Sequence, residues 1–413
     1  MGALLMMFSS MRLSALIILM IVSSATLADG GRFEFTGHTK LNATGQNYPD
    51  DSALQALYGS SSIDAQADAR LNLKWRNAGW RFNADYQLVG LHSEFLRLPN
   101  DDRRLFNLTD VISDSSEDAL LHRLDRLWLG YSNEKVVVRF GRQALSWGNG
   151  LFYAPMDLVN PFNPETIDTE YKAGDDMLYA QYLRDSGDDV QAAAVIRRNL
   201  ISGEVESEVA TYALKYHGFA GEFEYDVLVA ESYADAILGI GWGRGIGGAH
   251  WGSDLVITDT DSDTYIQFVT NLSYSWVARG KNMSGAIEYH YNQFGQSNGD
   301  YDPLSLAQNP ELLARIARGQ MFTLGQHYLA GSVMIEMTPL WSLTPVLLAN
   351  IGDPSALLQL TTNYSLGDNM TLLGSINLPL GSNGTEFGGI ETGLPDLYFS
   401  TGSSVFAQFA WYF

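Results

Sequence analysis

Four carboxylates, Asp157, Glu165, Asp168 and Glu170, fall in one Pro-containing segment that follows Arg139-Phe140-Gly141-Arg142-Gln143-Ala144-Leu145-Ser146-Trp147-Gly148-Asn149-Gly150. Arginines that can oppose them in space, Arg70, Arg81, Arg126 and Arg139, come earlier in the chain. Fixed charges of two signs facing each other across a water-filled gap set up a transverse field. Such a field orients polar and zwitterionic solutes and slows apolar ones. This is the chemistry of selection, not of bond making. A second reading stays open beside it, in which the arginines pair with Asp64, Asp68 and Asp85 and simply hold strands together.

Bond-making chemistry finds little support. Cys is absent, which excludes disulfides, thiolate nucleophiles and zinc ribbons. The histidines at 38, 92, 122, 217, 250, 290 and 327 show neither His-x-x-x-His nor His-Glu-x-x-His spacing, so no zinc hydrolase is indicated. Gly239, Gly241, Gly243, Gly245, Gly247 and Gly248 imitate a nucleotide loop but are followed by no amphipathic helix. Asp259, Asp261 and Asp263 copy the first three ligands of a calcium loop. No Gly stands at its sixth position and Thr270 occupies its twelfth, which leaves a weak surface calcium candidate. No cofactor is expected. With 25 Lys and Arg against 47 Asp and Glu, a formal charge of −22, the chain lacks the basic footprint that nucleic-acid binding requires.

The elements that must position these groups are read from alternation. Ile63, Ala65, Ala67, Ala69, Leu71, Leu73 and Trp75 alternate with Asp64, Gln66, Asp68, Arg70, Asn72, Lys74 and Arg76. After Asn77-Ala78-Gly79 the pattern resumes with Trp80, Phe82, Ala84, Tyr86 and Leu88. One face is apolar and the other polar, at the length of a strand that crosses a bilayer. Connections between the readable strands alternate short and long. The short ones fall near 77–79, 132–135, 185–189, 217–221, 243–248, 277–283, 338–341 and 367–369. The outer ones fall near 46–62, 95–118, 146–175, 199–208, 231–236, 258–263, 295–325, 351–355 and 381–403. The expected fold is all-β: a transmembrane antiparallel up-and-down barrel of about 18 strands, with both termini on the periplasmic side. Sixteen is the lower count, because the Gly-rich strand near 237–242 and the Pro-bearing one near 342–350 are the weakest.

Residues 1–28 carry Arg12, the apolar run Leu13 to Val22 and a small, polar stretch ending at Ala28, the order of a secretory signal peptide. Residues 29–413 are then one barrel domain in the outer membrane of a bacterial cell. The final strand places Val405, Ala407, Phe409, Trp411 and Phe413 on one face. A terminal aromatic with apolar residues at alternate positions resembles the signal by which outer-membrane barrels are recognised for insertion, so Phe409, Trp411 and Phe413 are its candidate residues.

The Gly-Arg-Gln strand entering a long third connection resembles the general porins and the porin-like exporters of the alginate-export type. In porins that loop folds back into the barrel and narrows it. The resemblance implies the same for 146–175, with Asp157, Glu165, Asp168 and Glu170 facing Arg70, Arg81, Arg126 and Arg139. Alternation adds Lys74, Arg76, Arg197 and Lys215 to the lumen wall. Pro155, Pro161 and Pro164 stiffen the segment, and Leu151, Phe152, Tyr153 and Phe162 are expected to hide from water inside it. Only six Lys stand against 19 Arg, which argues against a phosphate-selective channel lined by lysines. Gln296-Ser297-Asn298-Gly299 resembles the Ser-Asn-Gly segment of outer-membrane phospholipases, but Gly295 stands where that family has its general base, so no enzyme is expected.

The expected function is passive, weakly selective diffusion of small hydrophilic solutes. The alternative is a dedicated exporter or conduit for a polysaccharide or a periplasmic partner protein. Expected partners are outer-membrane lipids and lipopolysaccharide, the barrel-assembly machinery and the solutes themselves; self-association into a homo-oligomer is compatible with this.

Overall fold

The computed structural model of the chain describes residues 31–413. The expected leader lies outside the described residues. The most regular stretch of alternation forms strands Ser61–Asn77 and Trp80–His92, paired through Trp75↔Phe82 and Arg70↔Gln87. Ile63, Leu71, Trp80 and Tyr86 are exposed on the outer face, whereas Asp68, Arg70, Asp85 and Gln87 are buried on the inner one. In water that outer row would be a liability; against hydrocarbon it is the contact the barrel needs.

The same pairing continues around the molecule. Each barrel strand is antiparallel to the next, and the last, Ser404–Tyr412, closes on the first, Arg32–Asn47, through Leu41↔Phe409. The result is a closed up-and-down barrel of 18 strands, the higher of the two expected counts. Closure leaves no unpaired strand edge, so the backbone donors and acceptors at membrane depth are satisfied. A short extra strand, Thr109–Asp114, adds to Asp118–Ser132 within the second long connection. Helices occur only in connections, and no described helix is long and apolar enough to cross a membrane.

Connections lie where the sequence placed them, short at one end and mostly long at the other. The turn at Ala78-Gly79 has both residues at positive φ, the geometry of a tight hairpin. Both weakly legible strands exist, as Asp235–Ile246 and Trp341–Asn350. Pro345 has no N–H, and the ladder from Trp341–Asn350 to His327–Thr338 skips Thr344 and Pro345 while the ladder to Ser355–Gly367 runs through Pro345↔Leu360. In Asp118–Ser132, pairing passes from Asp85↔Arg126 directly to Tyr86↔Leu124. This β-bulge leaves Asp125 unpaired and places Asp125 and Arg126 side by side on the inner face.

Candidate functional site: the lumen and its third long connection

The connection 144–174 leaves strand Val136–Gln143 and returns to Asp175–Leu183, neighbours in the barrel, yet its contacts run around the inner wall. Trp147 Nε1 donates to Gln191 Oε1 at 2.7 Å. The Asn149 backbone N–H and side-chain amide donate to the two oxygens of Asp254, each at 2.7 Å. Glu288 accepts the backbone N–H groups of Leu151, Phe152 and Tyr153 at 2.5, 3.0 and 2.7 Å. Further on, Gln359 donates to the Glu165 carbonyl at 3.0 Å. Lys40 then holds Asp168 and Glu170 at 2.5 and 2.8 Å, with Gln408 and Tyr412 donating to the same two carboxylates. The Tyr171 ring lies 3.9 Å beneath the Arg70 guanidinium before the chain rejoins the wall. A backbone this irregular is tolerated inside a barrel because the wall and water supply its partners.

Apolar anchoring comes from Tyr153 and Phe152, two of the four expected residues, and from a second cluster that the sequence does not single out. Met156 is fully buried, and Leu145, Trp147 and Val159 join it in a cluster with Met177, Val195, Leu228, Ile237 and Val256 of the wall. Each such burial contributes about 1.5–3 kcal/mol. Tyr153 is buried as expected and stacks on His290 at 4.8 Å, and Phe152 packs beside it. Leu151 and Phe162 remain exposed. The reason is the wall itself: strand Asp189–Val195 turns Ala193 and Val195 inward into that cluster, next to Gln191, which takes the Trp147 N–H. The Gly-rich strand faces the same segment. A Cβ on Gly241 would meet the Asn149 amide at 2.8 Å, and one on Gly239 would meet Met156 Cε at 3.3 Å. Glycine in a strand marks close approach of another chain segment, and these two make room for the third connection.

No family model matches the chain, and no curated protein matches it in sequence. Solved structures do match its fold. OccAB4 of Acinetobacter baumannii is 10% identical with a TM-score of 0.52 over 94% of this chain and 100% of that one. OccAB2 of the same organism is 9% identical with a TM-score of 0.51 over 92% and 98%. A BenF-like porin from Pseudomonas fluorescens Pf-5 is 7% identical with a TM-score of 0.51 over the same shares. The fold is that of a porin-like outer-membrane barrel. Identities this low carry the architecture and nothing of the solute.

In this porin-like barrel the charged residues pair differently from the expected arrangement of four acids against four arginines. Asp157 is held by Lys172 of its own segment at 2.6 Å, and burial pushes its carboxyl up to about 6. Burial opposes ionisation of Asp168 and Glu170 too, but hydrogen bonds from Lys40 and its neighbours outweigh it and hold both below their ordinary values. Glu165 is reached by water while walled in by the barrel, and that enclosure raises its carboxyl. Arg70 bonds to Asp125 and lies 3.6 Å from Asp85, and Arg126 donates to Asp125 at 2.8 Å. Arg139 lies over the rings of Tyr179 and Trp128 at 4.6 and 5.6 Å. Lys74 and Arg76 sit near Glu34 toward the short-turn end, where Arg76 pairs in register with Arg81. Arg197 and Lys215 are buried against Asp175 at 3.0 Å and Asp226 at 2.9 Å. Alternation gives a face, not a neighbour, and so does not single out Lys40, which stands opposite Ala410, beside Gln408, in the closing pair of strands.

Other expected residues have local roles. Asp259 accepts from Thr264 Oγ1 at 2.6 Å and Asp263 from the Thr264 N–H at 2.7 Å, which closes a turn. Among the described residues no three His, Asp or Glu side chains are grouped to hold a metal ion. In the last strand Val405, Ala407 and Trp411 are exposed on the outer face and Gln408 and Ala410 are buried, while Phe409 pairs with Leu41 and Phe413 lies against Trp411 at 5.4 Å. Arg142, alternating onto the same face as Phe140, is buried there because the second connection closes over it: it donates to Asp176 at 2.9 Å, Asp101 at 2.9 Å and the Phe106 carbonyl at 2.6 Å. Glu386, from the last long connection, accepts from Tyr328, Asn350 and the Leu324 N–H, and burial lifts its carboxyl to about 7.

Proposed function

We propose that this chain is an outer-membrane channel for passive, weakly selective diffusion of small hydrophilic solutes, narrowed by its third long connection. The observation that carries the reading is that segment's set of anchors on opposite walls, Glu288 and Asp254 on one side and Lys40 and Gln408 on the other. A strap fixed at both sides of a lumen divides the opening, and its partly water-exposed acids stand at the remaining gap. A formal charge of −22 favours small cations at long range. Outer-membrane lipid, lipopolysaccharide and the assembly machinery are the partners such a barrel requires.

Deleting residues 151–169 tests the reading. Single-channel conductance in planar bilayers should rise severalfold, with the barrel shown intact by heat-modifiable gel mobility. An intact barrel of unchanged conductance would remove the segment from the pore.

A further inference from the structure

The last long connection, 381–403, turns one corner, Glu386-Phe387, in toward the inner wall. The Glu386 carboxylate accepts from parts distant in sequence. Tyr328 donates its hydroxyl at 2.6 Å and Asn350 its amide at 2.7 Å, from the outer ends of strands His327–Thr338 and Trp341–Asn350, and the Leu324 N–H of the 293–326 connection lies at 2.7 Å. The Glu386 N–H donates in turn to Asp353, in the tight turn 351–354, at 2.6 Å. Phe387 packs on the apolar cluster of Tyr328, Leu348 and Leu357, which also contains Tyr153 and takes Phe152 of the third connection. The last and third long connections therefore share one footing.

No cation stands at this corner. Among the described residues neither Glu386 nor Asp353 has an ion-pair partner, whereas Asp125, Asp157, Asp175 and Asp226 each face an Arg or a Lys. Asp353 is satisfied by neutral donors instead, the Ser355 N–H at 3.1 Å and hydroxyl at 2.6 Å. The titratable groups that face Glu386 are all acids: Asp353 from the turn, the Tyr328 phenol from the wall, and from the 293–326 connection the Tyr301 phenol, which accepts from Asn350 at 2.8 Å. Tyr153 of the third connection lies behind Tyr328, with ring centroids 5.4 Å apart, and its acidic neighbours are Glu288 and Glu165. A walled-in carboxylate among acids and neutral dipoles gains by keeping its proton. Water reaches part of the Glu386 side chain, so that proton exchanges with the medium.

We propose that Glu386 makes the last long connection a proton-operated latch, docked on the footing of the third connection when the carboxyl is protonated and released when it ionises. Docking stands on the geometry of this corner; its effect on passage rests on the channel reading. Burial, reinforced by the charge of Asp353, lifts the docked carboxyl to about 7 against the pull of its three donors, and released into water it returns to its ordinary 4.5. Docking is therefore strongest below pH 4.5, weakens as pH rises to 7 and changes no further above it, by about 300-fold in all. Asp168 and Glu170, held below their ordinary values, respond in the opposite direction and at lower pH.

The chain has no Cys, so a spin label on Ser382→Cys reports this connection alone. Ser382 is exposed, and its side chain makes no hydrogen bond among the described residues. In the purified full-length barrel in detergent, paramagnetic resonance should find the label least mobile at pH 4.5, with a mobile component that grows as pH rises to 7 and then levels off. Adding Glu386→Gln, which keeps a neutral amide where the protonated acid stood, should hold the label at its acid mobility throughout, with the barrel shown intact by heat-modifiable gel mobility. A label of constant mobility from pH 4.5 to 8 in the protein with Glu386 in place overturns the proposal, as does an equal pH response in the Glu386→Gln protein. Failure of the channel reading is distinguishable, because it appears as absent conductance in a barrel whose label still responds to pH.

Discussion

Replacing Glu288 by Ala removes one carboxylate that accepts three consecutive backbone N–H groups, from Leu151, Phe152 and Tyr153, and the Asn271 amide at 3.1 Å. Hydrogen bonds to a charged acceptor contribute about 1.5–3 kcal/mol each when the donor is otherwise unsatisfied. Lumen water can take over part of that role, so the lower end applies and the loss over the three N–H groups is about 4.5 kcal/mol, a shift of roughly two-thousandfold in the balance of detached and attached arrangements. The remaining anchors decide what detaches. Met156, Val159 and Trp147 stay buried in the apolar cluster, and Asn149 stays on Asp254. Only the stretch around 150–153 is therefore freed. Single-channel recordings of Glu288→Ala should show brief excursions above the wild-type level without the sustained step of the 151–169 deletion, while Glu288→Gln, which keeps one acceptor oxygen, should be intermediate. Adding Asp254→Asn should lengthen the excursions. An Asp254→Asn/Glu288→Ala barrel with the noise and conductance of wild type would refute the reasoning.

Three further outcomes follow from the charged pairs. Asp101, bonded to Arg104, Arg142 and the Leu108 N–H, has its carboxyl lowered from 3.8 to about 2 because these partners outweigh burial. The stability it contributes, about 2 kcal/mol, is full above pH 3.8 and lost as pH falls through 2, so Asp101→Asn should lower thermal stability at pH 7 and flatten its decline in acid, as read by circular dichroism. Asp168 and Glu170 are likewise depressed, so the Lys40 clasp is whole above their ordinary 3.8 and 4.5 and loosens below; wild-type current noise should rise on acidification past pH 4.5, and Lys40→Met should show that noise already at neutral pH. Glu165→Gln should move the reversal potential in a salt gradient toward anions with little change in conductance, since its hydrogen bonds come from its backbone, the N–H to Asn163 and the carbonyl from Gln359, and its side chain anchors nothing.

Period-two patterning and turn chemistry carried most of the architecture. Stripes such as Ile63 to Trp75 define one face unambiguously, and small or polar turn residues locate the reversals, so strand number and connection order are legible. Partners inside the lumen were not. A bulge adds one residue without a compositional mark, which is why the Asp125–Arg126 doublet escaped alternation. Strand Asp189–Val195 alternates too weakly to mark Ala193 and Val195 as an apolar inward patch, so the sequence does not single out Met156 and Val159 as anchors over Leu151 and Phe162. Gly239 and Gly241 did hold the missing information. Read as sites of close approach, they point to a segment packed on the inside of that strand.

The inner wall also separates two uses of charge that composition merges. Arg70 with Asp125, Arg197 with Asp175, Lys215 with Asp226 and Lys172 with Asp157 are buried pairs, each spending its charge on a neighbour. Removing one member of such a pair strands the other in a low-dielectric setting and destabilises the barrel more than it alters passage. In the proposed channel, control over solutes would then fall to the groups left over, of which Glu165 has no hydrogen bond to its carboxylate among the described residues. Asp226→Asn, which strands Lys215, should therefore lower thermal stability and leave the reversal potential near that of wild type, the reverse of the pattern expected for Glu165→Gln; a larger shift of reversal potential in Asp226→Asn than in Glu165→Gln would refute the division.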